Sequence, residues 1–213
     1  MSAVTIGIVD YGMGNHASVM HSLKNMGLKV RVSADPQALD STDVLILPGV
    51  GAFPSAMQAL HDRRLVSYLQ QQAERQRPII GICLGMQLLT TASHEYQYTL
   101  GLDLIAGEVV PLPESQWHIG WNTIKCIQED VLLQASDNEV FYFNHSFTYQ
   151  GVDKYQIAMS QHSQPIASVI RNGSIVGLQF HPEKSQVAGR ELLKNLIVGL
   201  VDAKKEIDGS CHG

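Results

Sequence analysis

The chain has 213 residues, 45% of them hydrophobic and 16% charged, with a net charge of −5. A chain of that size buries a full core without staples, and an acidic balance with no Lys/Arg cluster argues against a nucleic-acid or anionic-membrane partner. No apolar run reaches the roughly 18 residues that span a bilayer, and Cys83, Cys126 and Cys211 are spaced like neither a disulfide framework nor a zinc site. No structural metal is expected. A strand begins at Val4 where a signal peptide would have its apolar stretch, so the expected location is the cytoplasm.

Taken in chain order, residues 4–9 read as a buried strand. Residues 15–26 read as a helix, with Val19, Met20, Leu23 and Met26 at 3–4 spacing and Gly27 as its stop. Residues 29–33 and 44–47 are further strands, the latter ended by Pro48-Gly49. Residues 53–74 carry one or more helices, residues 79–82 a fourth strand, and a helix starts near Leu84. This alternation with near-continuous apolar strands gives an α/β fold, a mostly parallel sheet covered by helices on both faces. Beyond residue 100 short strands dominate, at 107–111, 121–127, 140–144, 157–160, 166–171 and 175–179. Several should be antiparallel, with Asn172-Gly173 as a hairpin turn. A last helix covers about 186–201. No linker divides residues 1–203, which read as one domain, and the polar tail 204–213 is expected to fray.

The first loop holds Gly12-x-Gly14-x-x-Ala17 after a strand, with Asp35 some twenty residues on. That is the outline of a dinucleotide fingerprint and allows a nicotinamide oxidoreductase, although the fingerprint alone is weakly specific. Three other segments point to different chemistry. In Gly81-Ile82-Cys83-Leu84-Gly85 a strand runs through Gly-x-Cys-x-Gly into a helix. This is a nucleophile elbow with Cys in place of Ser, and a helix N-terminus there favours the thiolate. His181-Pro182-Glu183 follows a strand and supplies a base with a carboxylate to orient it. Pro48-Gly49-Val50-Gly51 can present backbone N–H groups to an oxyanion. Each segment alone has a plain structural reading: a buried Cys between packing glycines, a surface His-x-Glu, an ordinary βα turn. Cys126 and Cys211 have no such surroundings and read as inert.

Together, Gly-Ile-Cys-Leu-Gly-Met-Gln and Gln-Phe-His-Pro-Glu resemble the class I, triad-type glutamine amidotransferases. The resemblance implies their flavodoxin-like fold, no cofactor, and glutamine hydrolysis through a γ-glutamyl thioester. Cys83 would be the nucleophile, His181 the base and then acid, and Glu183 its orienter. The oxyanion donors would come from Val50, Gly51 and Leu84, and the glutamine contacts from Gly49, Gln87, Glu95, His145 and Ser146. Asp10-Tyr11-Gly12-x-Gly14-Asn15, His118-x-Gly120-Trp121-Asn122, Tyr142-Phe143-x-His145-Ser146 and His181-Pro182-Glu183-Lys184-Ser185 look like the branch that serves imidazole glycerol phosphate synthase. That branch implies a (β/α)8-barrel cyclase as partner, met by Asn15, Trp121, Tyr142 and Lys184. The chain departs from the branch pattern at Trp117 (usually Pro), Asn144 (usually apolar), Phe147 (often Tyr) and His94 (often an acid). None of these touches the triad, but all bear on the acceptor, and a paralogue feeding another synthase, as in surface-sugar amidation, is the alternative. A thiol peptidase fits less well, since no insertion builds a peptide cleft.

Overall fold

Ile6, Ile8, Val44, Ile46, Ile80 and Ile82 pack into one buried cluster, and Val9, Leu45, Leu47 and Ile79 into another. Alternate residues of each strand thus face opposite sides of one sheet, as a period of two requires. The computed structural model describes residues 4–113 and 117–210. In chain order the first half comprises β1 (Thr5–Val9), α1 (His16–Asn25), β2 (Lys29–Ser33), α2 (Pro36–Asp40), β3 (Val44–Gly49), α3 (Phe53–Asp62), α4 (Leu65–Glu74), β4 (Ile79–Cys83) and α5 (Leu84–Leu88). There follow β5 (Thr90–Ser93), β6 (Thr99–Leu100), β7 (Ile105–Pro111), β8 (His118–Thr123), β9 (Lys125–Cys126), β10 (Val140–His145) and β11 (Phe147–Gly151). The last are β12 (Gln156–Gln161), β13 (Pro165–Asn172), β14 (Ile175–Leu178) and α6 (Gln186–Ser210).

The main sheet has eight strands in the order β2-β1-β3-β4-β14-β13-β12-β9. Strands β2 to β14 of that order run parallel and the rest antiparallel. One face is covered by Val19 and Leu23 of α1 and by Leu192, Leu193, Leu196 and Ile197 of α6. The other is covered by α3 and α4 through Phe53, Met57, Leu60, Leu65 and Leu69. A four-stranded sheet, β11-β7-β5-β6, and a two-stranded sheet, β10-β8, stand beside it. No described helix is long and apolar enough to cross a membrane.

Several expectations are corrected. The run 121–127 is two strands: β8 pairs with β10, while β9 joins the main sheet, and Ile124 between them is fully buried. A chain that changes sheets must break its ladder at the crossing. Helix α6 runs to Ser210 rather than ending near 201, so the polar segment expected to fray continues as helix. Lys204 pairs with Asp208 at 2.8 Å and Lys205 with Asp202 at 3.1 Å, the spacings at which helical side chains meet. Cys211 lies outside the described residues. Asp35, the acid at the ribose position of the fingerprint, caps α2 by accepting from the Gln37 N–H at 3.0 Å, with Pro36 at the first helical position.

Candidate active site

Three adjacent parallel strands end at one place. In register, Gly49 of β3 pairs with Cys83 of β4, and Ile82 pairs with Leu178 of β14. The carboxyl edge of such a sheet is where ligands gather. Cys83 closes β4 with φ 55° and ψ −113°, a left-handed conformation rare outside glycine, and α5 begins at the next residue. The strain turns the side chain out of the ladder at the helix start, and Cys83 keeps 7% of its surface exposed. Its Sγ lies 3.8 Å from the Asn144 carbonyl oxygen.

Beyond β14 the chain passes through Gln179 and Phe180 to His181. The His181 N–H donates to the Tyr142 carbonyl at 2.8 Å. Ser185 fastens the same turn: its hydroxyl donates to the His181 carbonyl at 2.6 Å and accepts from the Tyr142 N–H at 3.0 Å. Ser185 stands inside the His-Pro-Glu-Lys-Ser motif, but its role is set by Tyr142, which is distant in sequence. The imidazole Nδ1 is 2.8 Å from Glu183 Oε1, and both side chains are almost fully buried. A carboxylate oxygen only accepts, so Nδ1 carries the proton and Nε2 is left for the hydrogen bond with Cys83. Burial works against a charged His181, but the hydrogen bonds and charges of Cys83 and Glu183 outweigh it and raise the pKa to about 10.

Around this group opens a cleft of about 670 Å³. Among the predicted residues, Val50, Gly51, Cys83, Leu84, Gln87, Glu95, His145, Ser146, His181 and Lys184 line it. Gly49 is not part of the lining; a Cβ there would come within 2.8 Å of the Gly85 amide nitrogen, so it serves as a point of close approach between β3 and α5. Gly51 has φ +103°, a conformation that leaves the Val50–Gly51 turn to glycine geometry. Tyr11, fully buried, donates its hydroxyl to the Pro48 carbonyl at 2.8 Å and thereby ties that turn to the first loop. Burial, and after it the charge of Cys83, raises the Tyr11 pKa well above that of an ordinary phenol, so the hydroxyl stays a donor.

Two predicted glutamine contacts also have protein partners. Glu95 Oε2 accepts from the Phe53 N–H at 2.8 Å. Helix α3 has Ala52 at its N-cap and no capping side chain of its own, so Glu95, distant in sequence, supplies the cap. Burial raises the Glu95 pKa and this hydrogen bond opposes the rise. The Gln87 amide donates to the Phe147 carbonyl at 3.2 Å and to Gln179 Oε1 at 3.3 Å.

Of the four residues expected to meet a partner, Lys184 reaches over the Tyr142 ring with its Nζ 5.8 Å from the centroid, and Trp121 packs edge-on against that ring at 5.8 Å. Trp121 is 50% exposed. Asn15 caps α1 by accepting from the Ser18 N–H at 3.3 Å. Of the four departures, Trp117 is exposed at the cleft and Phe147 contributes its carbonyl rather than its ring to the contacts described. Asn144 likewise contributes its carbonyl, and His94 pairs with Glu108 at 2.7 Å. Cys126 has its pKa raised to about 11 by burial first and by Asp137 and Asp130 after it, conditions that disfavour a reactive thiolate. Among the described residues, no group of three or more His, Cys, Asp or Glu side chains could hold a metal ion.

The family model for class-I glutamine amidotransferases matches residues 7–200. The imidazole glycerol phosphate synthase subunit HisH of Lacticaseibacillus casei is 42% identical over 193 residues, covering 89% of this chain and 93% of that one. The subunit of the same name from Listeria monocytogenes is 40% identical over 210 residues, covering 97% of each. Among solved structures, PurLQS from Thermotoga maritima superposes with a TM-score of 0.75 at 18% identity, over 93% of this chain and 99% of that one. A glutamine amidotransferase from the same organism gives 0.69 at 14% identity, over 94% and 99%. At those identities the structural likeness speaks to the fold, which is the α/β fold of that family. With a match across residues 7–200 and relatives at 40–42% identity over most of its length, the chain belongs to the class-I glutamine amidotransferases, in the branch of the HisH subunits.

Proposed function

We propose that the chain hydrolyses L-glutamine to glutamate and ammonia and passes the ammonia to a (β/α)8-barrel cyclase, which makes imidazole glycerol phosphate and AICAR in the cytoplasm. What supports this most is the strained Cys83 at a helix start, held against a His181 whose other nitrogen is bonded to a buried Glu183. With its pKa raised to about 10, His181 already holds on Nε2 the proton given up by Sγ, and the sulfur attacks the side-chain carbonyl carbon of glutamine. N–H groups of Leu84 and of the Val50–Gly51 turn receive the oxyanion. His181 returns the proton to the leaving nitrogen, ammonia departs, and a γ-glutamyl thioester remains. Water, deprotonated by His181, cleaves it to glutamate. The exposed apolar side chains Ile119 (58%) and Trp121 (50%), on the strand that pairs with the cleft wall, suit a protein partner. Since the relatives named above are subunits of imidazole glycerol phosphate synthase, that acceptor is favoured over one in surface-sugar amidation.

The test is glutamate release by the chain alone, with a cyclase subunit, and with cyclase plus its nucleotide substrate. Release should rise on the order of 10²-fold or more in the full mixture, the scale of one oxyanion donor brought into place. A full rate from the isolated chain would refute the coupling, and no rate in any mixture would refute the glutaminase.

Tyr11 offers a second check. Tyr11→Phe deletes the donor to Pro48 and leaves a buried carbonyl unpaired. The turn then loses its tether, and kcat should fall about tenfold or more while KM for glutamine stays within about twofold, the pattern of an interaction made only in the transition state. A raised KM at unchanged kcat would assign Tyr11 to substrate binding instead.

A further inference from the structure

His118, Gly120 and Asn122 lie on one face of β8, two residues apart, while Ile119 and Trp121 lie on the exposed face. The antiparallel register sets His118 opposite His145 of β10. Three contacts join these residues into a chain. Asn122 Nδ2 is 3.0 Å from His118 Nε2, His118 Nδ1 is 2.9 Å from His145 Nε2, and His145 Nδ1 is 2.8 Å from the Phe147 carbonyl oxygen.

The direction of the chain follows from its ends. The Thr123 N–H must donate, and it meets Asn122 Oδ1 at 2.8 Å; the Gln161 carbonyl must accept, and it meets Asn122 Nδ2 at 2.8 Å. The amide is therefore fixed, and Nδ2 donates to His118 Nε2. His118 then holds its proton on Nδ1 and donates it to His145 Nε2. His145 in turn holds its proton on Nδ1 and donates it to the Phe147 carbonyl, which can only accept. A second proton on either ring would set two N–H groups against each other.

The far end of this chain is the wall of the cleft facing Cys83. The Asn144 carbonyl receives Sγ, and the Phe147 carbonyl receives both His145 and Gln87. The titratable groups around the two rings are His162, whose ring centroid is 4.8 Å from that of His118, and His181 beside His145. Phe143 stacks on His118 at 4.3 Å. Burial, helped by His162, lowers the His118 pKa to about 4; burial, with the neighbouring histidines and against the bond to Phe147, lowers that of His145 to about 3.

We propose that His118 and Asn122 are positioning residues: through this one-way chain they hold His145 in the neutral Nδ1–H tautomer, which fixes the Asn144–Phe147 wall of the glutamine cleft and keeps a second positive charge away from His181. The inference rests on the glutaminase reading of the cleft for its effect, though not for the tautomers.

The experiment uses the full-length chain labelled with ¹⁵N-histidine. Both His118 and His145 should show a protonated Nδ1 and a bare Nε2, unchanged between about pH 5.5 and 8, where an ordinary histidine titrates. His118→Phe removes the donor to His145 while keeping a ring against Phe143. Alkylation of Cys83 by a glutamine-derived chloroketone should then slow about tenfold or more, while alkylation by iodoacetamide stays within about twofold. His118→Gln, which restores an N–H donor, should recover much of the chloroketone rate. An Nε2–H tautomer at His145 in the native chain overturns the inference whatever the enzyme does. Equal loss of both alkylations in His118→Phe, or no loss of either, also overturns it. Native tautomers as described in a chain that never hydrolyses glutamine would instead overturn the glutaminase reading, and with it the proposed effect on catalysis.

Discussion

Cys83→Ala abolishes glutamine hydrolysis, with an expected fall on the order of 10⁴-fold or more, because no other group in the cleft can form the thioester. Of the other cysteines, Cys126 lies across the main sheet on β9 and has its thiol pKa pushed upward, so it cannot substitute. The variant has a second, spectroscopic consequence. His181 owes its raised pKa to the hydrogen bond and charge of Cys83 as well as to those of Glu183, working against burial. With the sulfur gone, two of these supports vanish and the burial penalty remains. The imidazolium that persists toward pH 10 in the native chain should lose its proton at a distinctly lower pH, read by histidine NMR titration. Activity surviving the substitution would sink the mechanism, and an unmoved His181 would show that sulfur and imidazole do not interact.

Gly85→Ala should cost the fold itself. A Cβ at Gly85 would stand 1.8 Å from the Leu47 carbonyl oxygen and 2.8 Å from the Leu47 carbonyl carbon. Both are backbone atoms in the middle of the sheet, with no flexible end to swing aside, so α5 and β3 must be pushed apart. The expected loss is about 3–5 kcal/mol, at the upper end of what single substitutions do. Denaturant unfolding monitored by tryptophan fluorescence checks it. Gly209 in the last turn of α6 is the control, because a Cβ there meets nothing within 4 Å; Gly209→Ala should be neutral or stabilise by up to about 1 kcal/mol. Similar stabilities for the two variants would show that the elbow tolerates more room than this packing allows.

The parallel half of the fold was legible because its strands are buried on both faces and read as unbroken apolar runs: β3 and β4 are buried along their whole length. The chemistry was legible because the elbow and the His-Pro-Glu turn need particular residues at fixed spacing. The remaining elements depend on partners distant in sequence. Strand β5 is Thr-Thr-Ala-Ser and has no apolar alternation; it is a strand because β7 and β6 pair with it. Strand β11, Phe-Thr-Tyr-Gln-Gly, follows β10 after a single residue, so the two look like one segment although they belong to different sheets. Helix α2 does carry a local sign, the Asp35-Pro36 pair, but the same Asp35 also fits the ribose position of the dinucleotide pattern. The cap that Glu95 gives to Phe53 spans 42 positions and has no local signature at all.

The in-register neighbours Gly49, Cys83 and the end of β14 imply a rule about tolerated change. Adjacent strands in a sheet lie about 4.8 Å apart, and successive residues of a strand face opposite sides. The oxyanion turn, the sulfur and the imidazole are thus spaced by a lattice of hydrogen bonds, not by the loops that lead into it. Deleting or inserting one residue within β3, β4 or β14 would turn a reacting group to the wrong face of the sheet. By contrast, the Asn172-Gly173 turn at the start of β14 lies at the opposite edge and leaves the lattice untouched. Insertions should therefore be accepted or refused along this chain according to which edge of the sheet they enter.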